Sequence, residues 1–156
     1  MSVSSYCKAD GIPGPAKGKD VDSQIECYEF RYSIDMPTDI RDGSITGRRQ
    51  HGFFSMVHEL DKSSPLFAKH LCENLEIPSV VVTHFKPDPK TGDIIKYFAH
   101  EMKKVKVVGL TSWKLNTCDE ASKKFRDMEE VRFMFEEIKI KDEEGNEYTD
   151  KWELGA

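Results

Sequence analysis

Five histidines, four cysteines and several pairs of adjacent acidic residues are the groups in this chain that could move a proton, attack an electrophile or hold a metal. His51, His58, His70, His84 and His100 show no His-x-x-x-His spacing, and Cys7, Cys27, Cys72 and Cys118 show no Cys-x-x-Cys. Neither set pre-arranges the tetrahedral ligands that zinc requires. Glu129-Glu130, Glu136-Glu137 and Glu143-Glu144 could supply a general acid and base, but neighbours on a strand point to opposite faces and cannot act on one bond together. They are read as solvent-facing charge. No serine sits in a G-x-S-x-G elbow. Gly18-Lys19 would end a phosphate loop only with Gly at 13 and Ser or Thr at 20, where the chain has Pro13 and Asp20. Asp142, Glu144, Asn146, Tyr148, Asp150 and Glu153 keep the 1, 3, 5, 7, 9, 12 spacing of a calcium loop. Glu147, however, occupies the position where glycine must make the bend, so the segment is read as an acidic hairpin. The residues themselves assign no catalytic, cofactor or metal site.

The elements that would position these groups are mostly strands. Residues 6–12 and 24–34 are strand candidates, the second placing Tyr28, Phe30, Tyr32 and Ile34 on one face by alternation. Residues 36–50 form a long polar loop, followed by a strand over 53–60. Ser64 before Pro65 predicts an N-cap and a helix over 65–75, with Phe67, Leu71 and Leu75 along one stripe. Pro78 precedes a strand over 80–85, a turn over 87–92, two strands within 94–113, and a loop over 116–127. In the last long strand Val131, Phe133 and Phe135 are odd whereas Ile138 and Ile140 are even, which predicts a β-bulge at Glu136 or Glu137. A turn at 144–146 leads to a short strand over 148–154. Many strands, one helix and no βα alternation predict a mainly β fold, a barrel or sandwich of antiparallel strands with one flanking helix and a long extended loop.

At 156 residues the chain fits one domain spanning 1–156, able to bury roughly 68–70% of its unfolded surface. No apolar run approaches the ~20 residues of a membrane helix, so membrane insertion is not expected. The N-terminal stretch lacks the basic and apolar regions of a signal peptide, so a carrier other than the ordinary export route is expected, and the cysteines are expected as thiols. A net charge of −5 argues against nucleic acid, whose binding draws on basic clusters. Lys103, Lys104 and Lys106 alternate with Val105 and Val107 as a solvated sheet face does.

One stretch is more specific. Gly47, Arg48, Arg49 and His51, followed by Asp61, Lys62, Ser64, Pro65 and Leu66, form a pattern that resembles the haemolysin-coregulated protein (Hcp) family, the tube-forming subunit of bacterial type VI secretion systems. Asp10-Gly11-Ile12-Pro13-Gly14, Tyr97-Phe98, and Met128-Glu129-Glu130-Val131 leading to Phe133, Phe135 and Ile138 follow in family order, so the resemblance covers nearly the whole chain. It implies a non-catalytic subunit, a β-barrel whose hexameric rings stack into a tube. A contractile sheath would propel that tube toward a target cell, with effector proteins in its lumen. The implied partners are further copies of the chain, sheath, spike and baseplate components, and effectors. The implied location is the bacterial cytoplasm before firing, then secretion without a signal peptide. Within the motif Gly47, Arg49, His51, Asp61, Ser64 and Pro65 would be structural. Two other classes remain open at this level: a monomeric β-barrel binding module, and a hydrolytic effector using the scattered histidines and acids.

Among all segments, the 36–50 loop is the strongest interaction candidate, because long loops in compact domains are often binding elements. Ile40 and Ile45 stand among Asp39, Asp42, Arg41, Arg48 and Arg49, a mixture suited to contact between identical copies. These seven residues are expected to stack rings and not to close them. Rings of like charge repel at long range, but over a Debye length of ~8 Å at physiological salt that repulsion fades while close contacts survive.

Overall fold

The computed structural model describes residues 3–152. In chain order its elements are β1 (Ser5–Ala9), β2 (Ile25–Cys27), β3 (Glu29–Arg31), β4 (Ile34–Asp35), β5 (Gln50–His51), β6 (Phe54–Glu59), α1 (Ser64–Cys72), β7 (Glu76–Pro87), β8 (Ile94–Trp113), β9 (Met128–Met134), β10 (Glu137–Asp142) and β11 (Glu147–Lys151). The main sheet runs β2, β1, β7, β8, β9, β6, β3, every pair antiparallel. Only Tyr28 separates β2 from β3, so the two ends of that order are one bent strand and the sheet closes into a barrel. At the corner the Tyr28 N–H donates to the Val57 carbonyl at 2.9 Å. The single strand expected over 24–34 is therefore broken. Ile25 and Cys27 face inward beside β1, and beyond the corner the even-numbered Phe30 and Tyr32 take over against Phe54.

Period-2 burial accounts for the wall. β6 buries Phe54, Met56 and His58, and β9 buries Glu129, Val131 and Phe133, so that alternate positions meet in one interior. Glu129 is thus a correction to the reading of adjacent acids as solvent-facing: one member of the pair must point inward, and it does. β8 is one 20-residue strand, not two. It pairs with β7 on one side, and with β10 and then β9 on the other. The change of inward parity between Phe135 and Ile138 is real, but no extra residue causes it. Lys103↔Glu137 and Lys106↔Met134 keep the same register, and β8 changes parity at the same level through Lys104 at φ +51°. β7 also runs through Pro78. Pairing with β8 passes from Ile77 to Ser79, and β1 reaches only as far as Val80, so no partner requires the missing N–H.

The helix starts one residue earlier than expected and is capped from elsewhere. Ser63 is the N-cap by position without a side-chain cap bond, Ser64 opens the helix, and Pro65 lies just inside it. Asp61 performs the capping: its Oδ1 accepts the Ser63 N–H at 2.7 Å and the Ser63 hydroxyl, while the Asp61 N–H donates to Ser64 Oγ at 3.2 Å. This reciprocal pair resembles a capping box shifted by three residues. The helix ends at Cys72, where Asn74 at φ +53° lets the Leu75 N–H reach the His70 carbonyl at 2.9 Å. Leu75 therefore lies outside the apolar stripe, and Phe67 is the fully buried anchor, edge-on to Phe133 at 5.8 Å. Asp61→Ala should cost about 2 kcal/mol and Ser64→Ala about 0.5–1 kcal/mol, read as shifts of the urea midpoint. A larger loss for Ser64→Ala than for Asp61→Ala would return the cap to Ser64.

Candidate functional site

The 36–50 segment is a built arm. β4 and β5 pair at its base through Ile34↔His51 and Asp35↔Gln50, and Thr38 bridges Ile45 further out. Gly47 lies against Pro37 there, where a Cβ would make only ordinary contact with Pro37 Cγ at 3.4 Å. At the tip the Asp39 N–H donates to the Ser44 carbonyl at 2.8 Å, and Gly43 turns the chain at φ +76°. Asp39 Oδ1 accepts the Arg41 N–H and Asp42 Oδ1 accepts the Ser44 N–H, both at 2.9 Å. The Arg41 guanidinium, and after it the Arg41 amide, holds the Asp39 carboxyl below its usual range, and the Ser44 amide and hydroxyl do the same for Asp42. On this ordered tip Ile40 is 98% exposed and Ile45 66%. An isoleucine held almost wholly in water at the end of a projecting hairpin is in contact with nothing in its own chain.

Not all of the expected loop residues belong to the tip. Asp39 and Arg41 form an ion pair at 3.2 Å within it, and Arg48 is exposed along the arm. Arg49 sits at the base, where Nε donates to Asp150 Oδ2 at 2.5 Å, Nη2 to Asp150 Oδ1 at 2.8 Å, and Nη2 again to the Lys151 carbonyl at 3.0 Å. His51 Nε2 lies 2.7 Å from the same Asp150 Oδ2, and its Nδ1 lies 2.6 Å from the Tyr32 hydroxyl. The hydrogen bonds from Arg49 hold Asp150 down to about 2, with burial working against them and His51 adding to them. This forked arginine–carboxylate pair fastens the arm to β11, about a hundred residues along the chain. With Asp150→Ala, amide exchange over 34–51 should quicken roughly tenfold while α1 exchanges as before. Unchanged exchange would mean that the hairpin alone holds the arm.

The other titratable groups are absorbed by the fold. His58 is buried between Glu129 Oε1 at 3.0 Å and Asp61 Oδ2 at 3.4 Å, and the Ser112 hydroxyl donates to Glu129 Oε2 at 3.2 Å. Burial pushes the Asp61 carboxyl up, but its bonds from His58 and Ser63 outweigh that and leave it low. His84 Nδ1 lies 2.6 Å from Ser5 Oγ, and His84 Nε2 lies 2.9 Å from His100 Nδ1. Phe30 stacks over the His84 ring at 4.4 Å. Burial lowers both histidines to about 4, and for His100 the neighbouring His84 adds to it. His70 Nδ1 bonds the Leu66 carbonyl one turn back. Cys7 and Cys27 are buried thiols with raised pKa, Cys27 up to about 12 and each chiefly through desolvation, while Cys72 and Cys118 are exposed thiols. The acidic 142–147 segment is a hairpin turn in which Asp142 accepts from the amides of Glu144 and Asn146. Glu153 and Leu154, which the calcium spacing and the last strand included, lie outside the described residues.

Sequence reasoning missed Tyr32, Asp150 and Glu129 as partners in these networks. For Glu129 a signal existed: Val131 and Phe133 already set the inward parity of its strand, and Phe54 and Met56 set that of His58 opposite. For Asp150 none did.

Residues 6–141 match the family model described as "Type VI secretion system effector, Hcp". The chain belongs to the Hcp family. Among solved structures, one described as an Hcp protein superposes with a TM-score of 0.87 at 18% identity, covering 97% of this chain and 100% of the other. A variant of the Hcp1 protein from E. coli EAEC 042 gives 0.81 at 25% identity, covering 97% and 99%. Hcp1 from Salmonella typhimurium gives 0.75 at 20% identity, covering 96% and 93%. No curated protein matches the sequence. As an Hcp protein the chain is a secreted tube subunit of a type VI secretion system, an effector carrier whose role is structural and not enzymatic. The open alternatives of a monomeric binding module and a hydrolytic effector give way to that assignment.

Proposed function

We propose that six copies of this chain close into a ring and that rings stack through the 36–50 arm, with Asp39, Ile40, Arg41, Asp42, Ile45 and Arg48 making the contact and Arg49 fixing its direction. The observation that carries this reading is the almost fully exposed Ile40 on an ordered, anchored tip. Ring closure draws support from β11, which among the described residues pairs with β10 alone and leaves an edge for a neighbour to cover. In this reading the tube meets sheath, spike and baseplate components outside and at its ends, and effector proteins inside. The subunit waits in the bacterial cytoplasm until firing.

The test is the double substitution Ile40→Asp with Ile45→Asp. Both side chains are exposed, so the barrel should keep its stability to within about 0.5 kcal/mol. Electron microscopy should show rings without tubes. Normal tubes, or loss of rings together with tubes, would refute the arm's role.

A further inference from the structure

A stacking arm needs a receptor on the opposite face of the next ring, and the path of β6 shows where to look. The arm returns through β5 at His51 and enters β6 at Phe54, so it belongs to that end of the strand. At the other end Glu59 pairs with Met128, and the Leu60 N–H donates to the Asp127 carbonyl at 3.0 Å, which brings the 114–127 loop there. Arm and loop thus lie at opposite ends of one strand.

On that far end an open cleft of about 520 Å³ is bordered by Tyr28, Phe125 and Met128, with Lys124, Arg126 and Glu26 at its rim. Phe125 is 58% exposed and Tyr28 42%, so the cleft is an apolar surface in water. Arg126 reaches Glu59 at 3.1 Å and the Tyr28 hydroxyl at 3.5 Å, which fixes the floor. Lys124 Nζ stands 5.7 Å over the Phe125 ring, and among the described residues no carboxylate pairs with it. The arm tip offers the complement: one apolar side chain, Ile40, with two aspartates against one arginine. Asp39 is taken by Arg41, whereas Asp42 bonds only within the tip, to Ser44.

We propose that this cleft receives the arm tip of a second copy in the adjacent ring, with Ile40 entering between Tyr28 and Phe125 and Asp42 facing Lys124. The proposal rests on the reading of the arm as the stacking element. A contact between unlike patches at opposite ends of β6 is heterologous, and with no rotation that closes it such a contact repeats ring after ring and builds a tube. Each contact is small, and its repetition around the ring supplies the avidity.

Charge reversal with rescue tests it, scored as tubes in electron micrographs with ring mass by light scattering as the folding control. Asp42→Lys and Lys124→Asp should each cut tube number at least tenfold with rings intact, and the two together should restore tubes. Phe125→Asp should abolish them. If Lys124→Asp and Phe125→Asp rings stack normally while Ile40→Asp with Ile45→Asp rings do not, the cleft is not the receptor though the arm still stacks. If the arm variants stack as well, the underlying reading falls with it. Reversals that each abolish tubes without mutual rescue would also overturn the pairing of Asp42 with Lys124.

Discussion

Glu129→Ala should cost about 3 kcal/mol, the penalty for leaving the buried polar groups of a hydrogen-bonded network without their partner. Glu129 is 3% exposed and His58 is fully buried, and the two are directly opposed in the β6–β9 register. Truncation leaves the His58 Nε2 side facing apolar neighbours, removes the acceptor of the Ser112 hydroxyl, and opens a void near Phe67, which lies edge-on to His58 at 5.8 Å. Against a typical total of about 5–15 kcal/mol that is a large fraction. Glu129→Gln keeps an oxygen for His58 and should cost only about 1–2 kcal/mol. Urea denaturation of both variants separates the cases. A loss below about 1 kcal/mol for Glu129→Ala would show that the pair is dispensable to the barrel.

Acid should weaken the barrel well before its carboxylates are protonated. His84 and His100 titrate at about 4 in the folded protein because burial disfavours their charged form, against about 6.5 when unfolded. The unfolded chain therefore takes up protons first as pH falls. Stability from this pair is fully present above pH 6.5, declines between 6.5 and 4, and changes no further below that. Since neither ring is wholly shielded from solvent, the loss is about 2–4 kcal/mol for the two together. Asp150, held down to about 2, acts in a lower window: its contribution is present above about 3.9 and is lost as pH falls toward 2. The urea midpoint should slope downward from pH 6.5 to 4 in the native chain. A His84→Gln, His100→Gln variant should be less stable at pH 7.5 but flatter over that interval. A native midpoint that stays level from 6.5 to 4 would contradict the buried neutral pair.

What could be read from the chain alone follows the range of the interactions involved. The arm was legible in position and content, because an isoleucine among turn residues and charges is a local signal. Its hairpin order was not, since it depends on Thr38 meeting Ile45 and on Arg49 finding Asp150. The helix start was legible to within one residue, but its end falls at Cys72 and not at 75, and its cap was misplaced by three, because Asp61 and Ser64 both carry capping oxygens and only the folded turn shows which one accepts the Ser63 N–H. The corner at Tyr28 and the matched kink at Lys104 were hidden for another reason. Each arises where a strand exchanges partners, and partner exchange leaves little trace in local alternation. His84 and His100 looked like unrelated residues on separate strands until β7 and β8 set them side by side.

Ring formation is the step on which stacking, the arm and its receptor all depend, and light scattering coupled to size-exclusion chromatography measures it directly. At micromolar concentration the expected mass is six times that of the 17.9 kDa chain, unchanged by Ile40→Asp with Ile45→Asp. A particle with the mass of a single chain would contradict it.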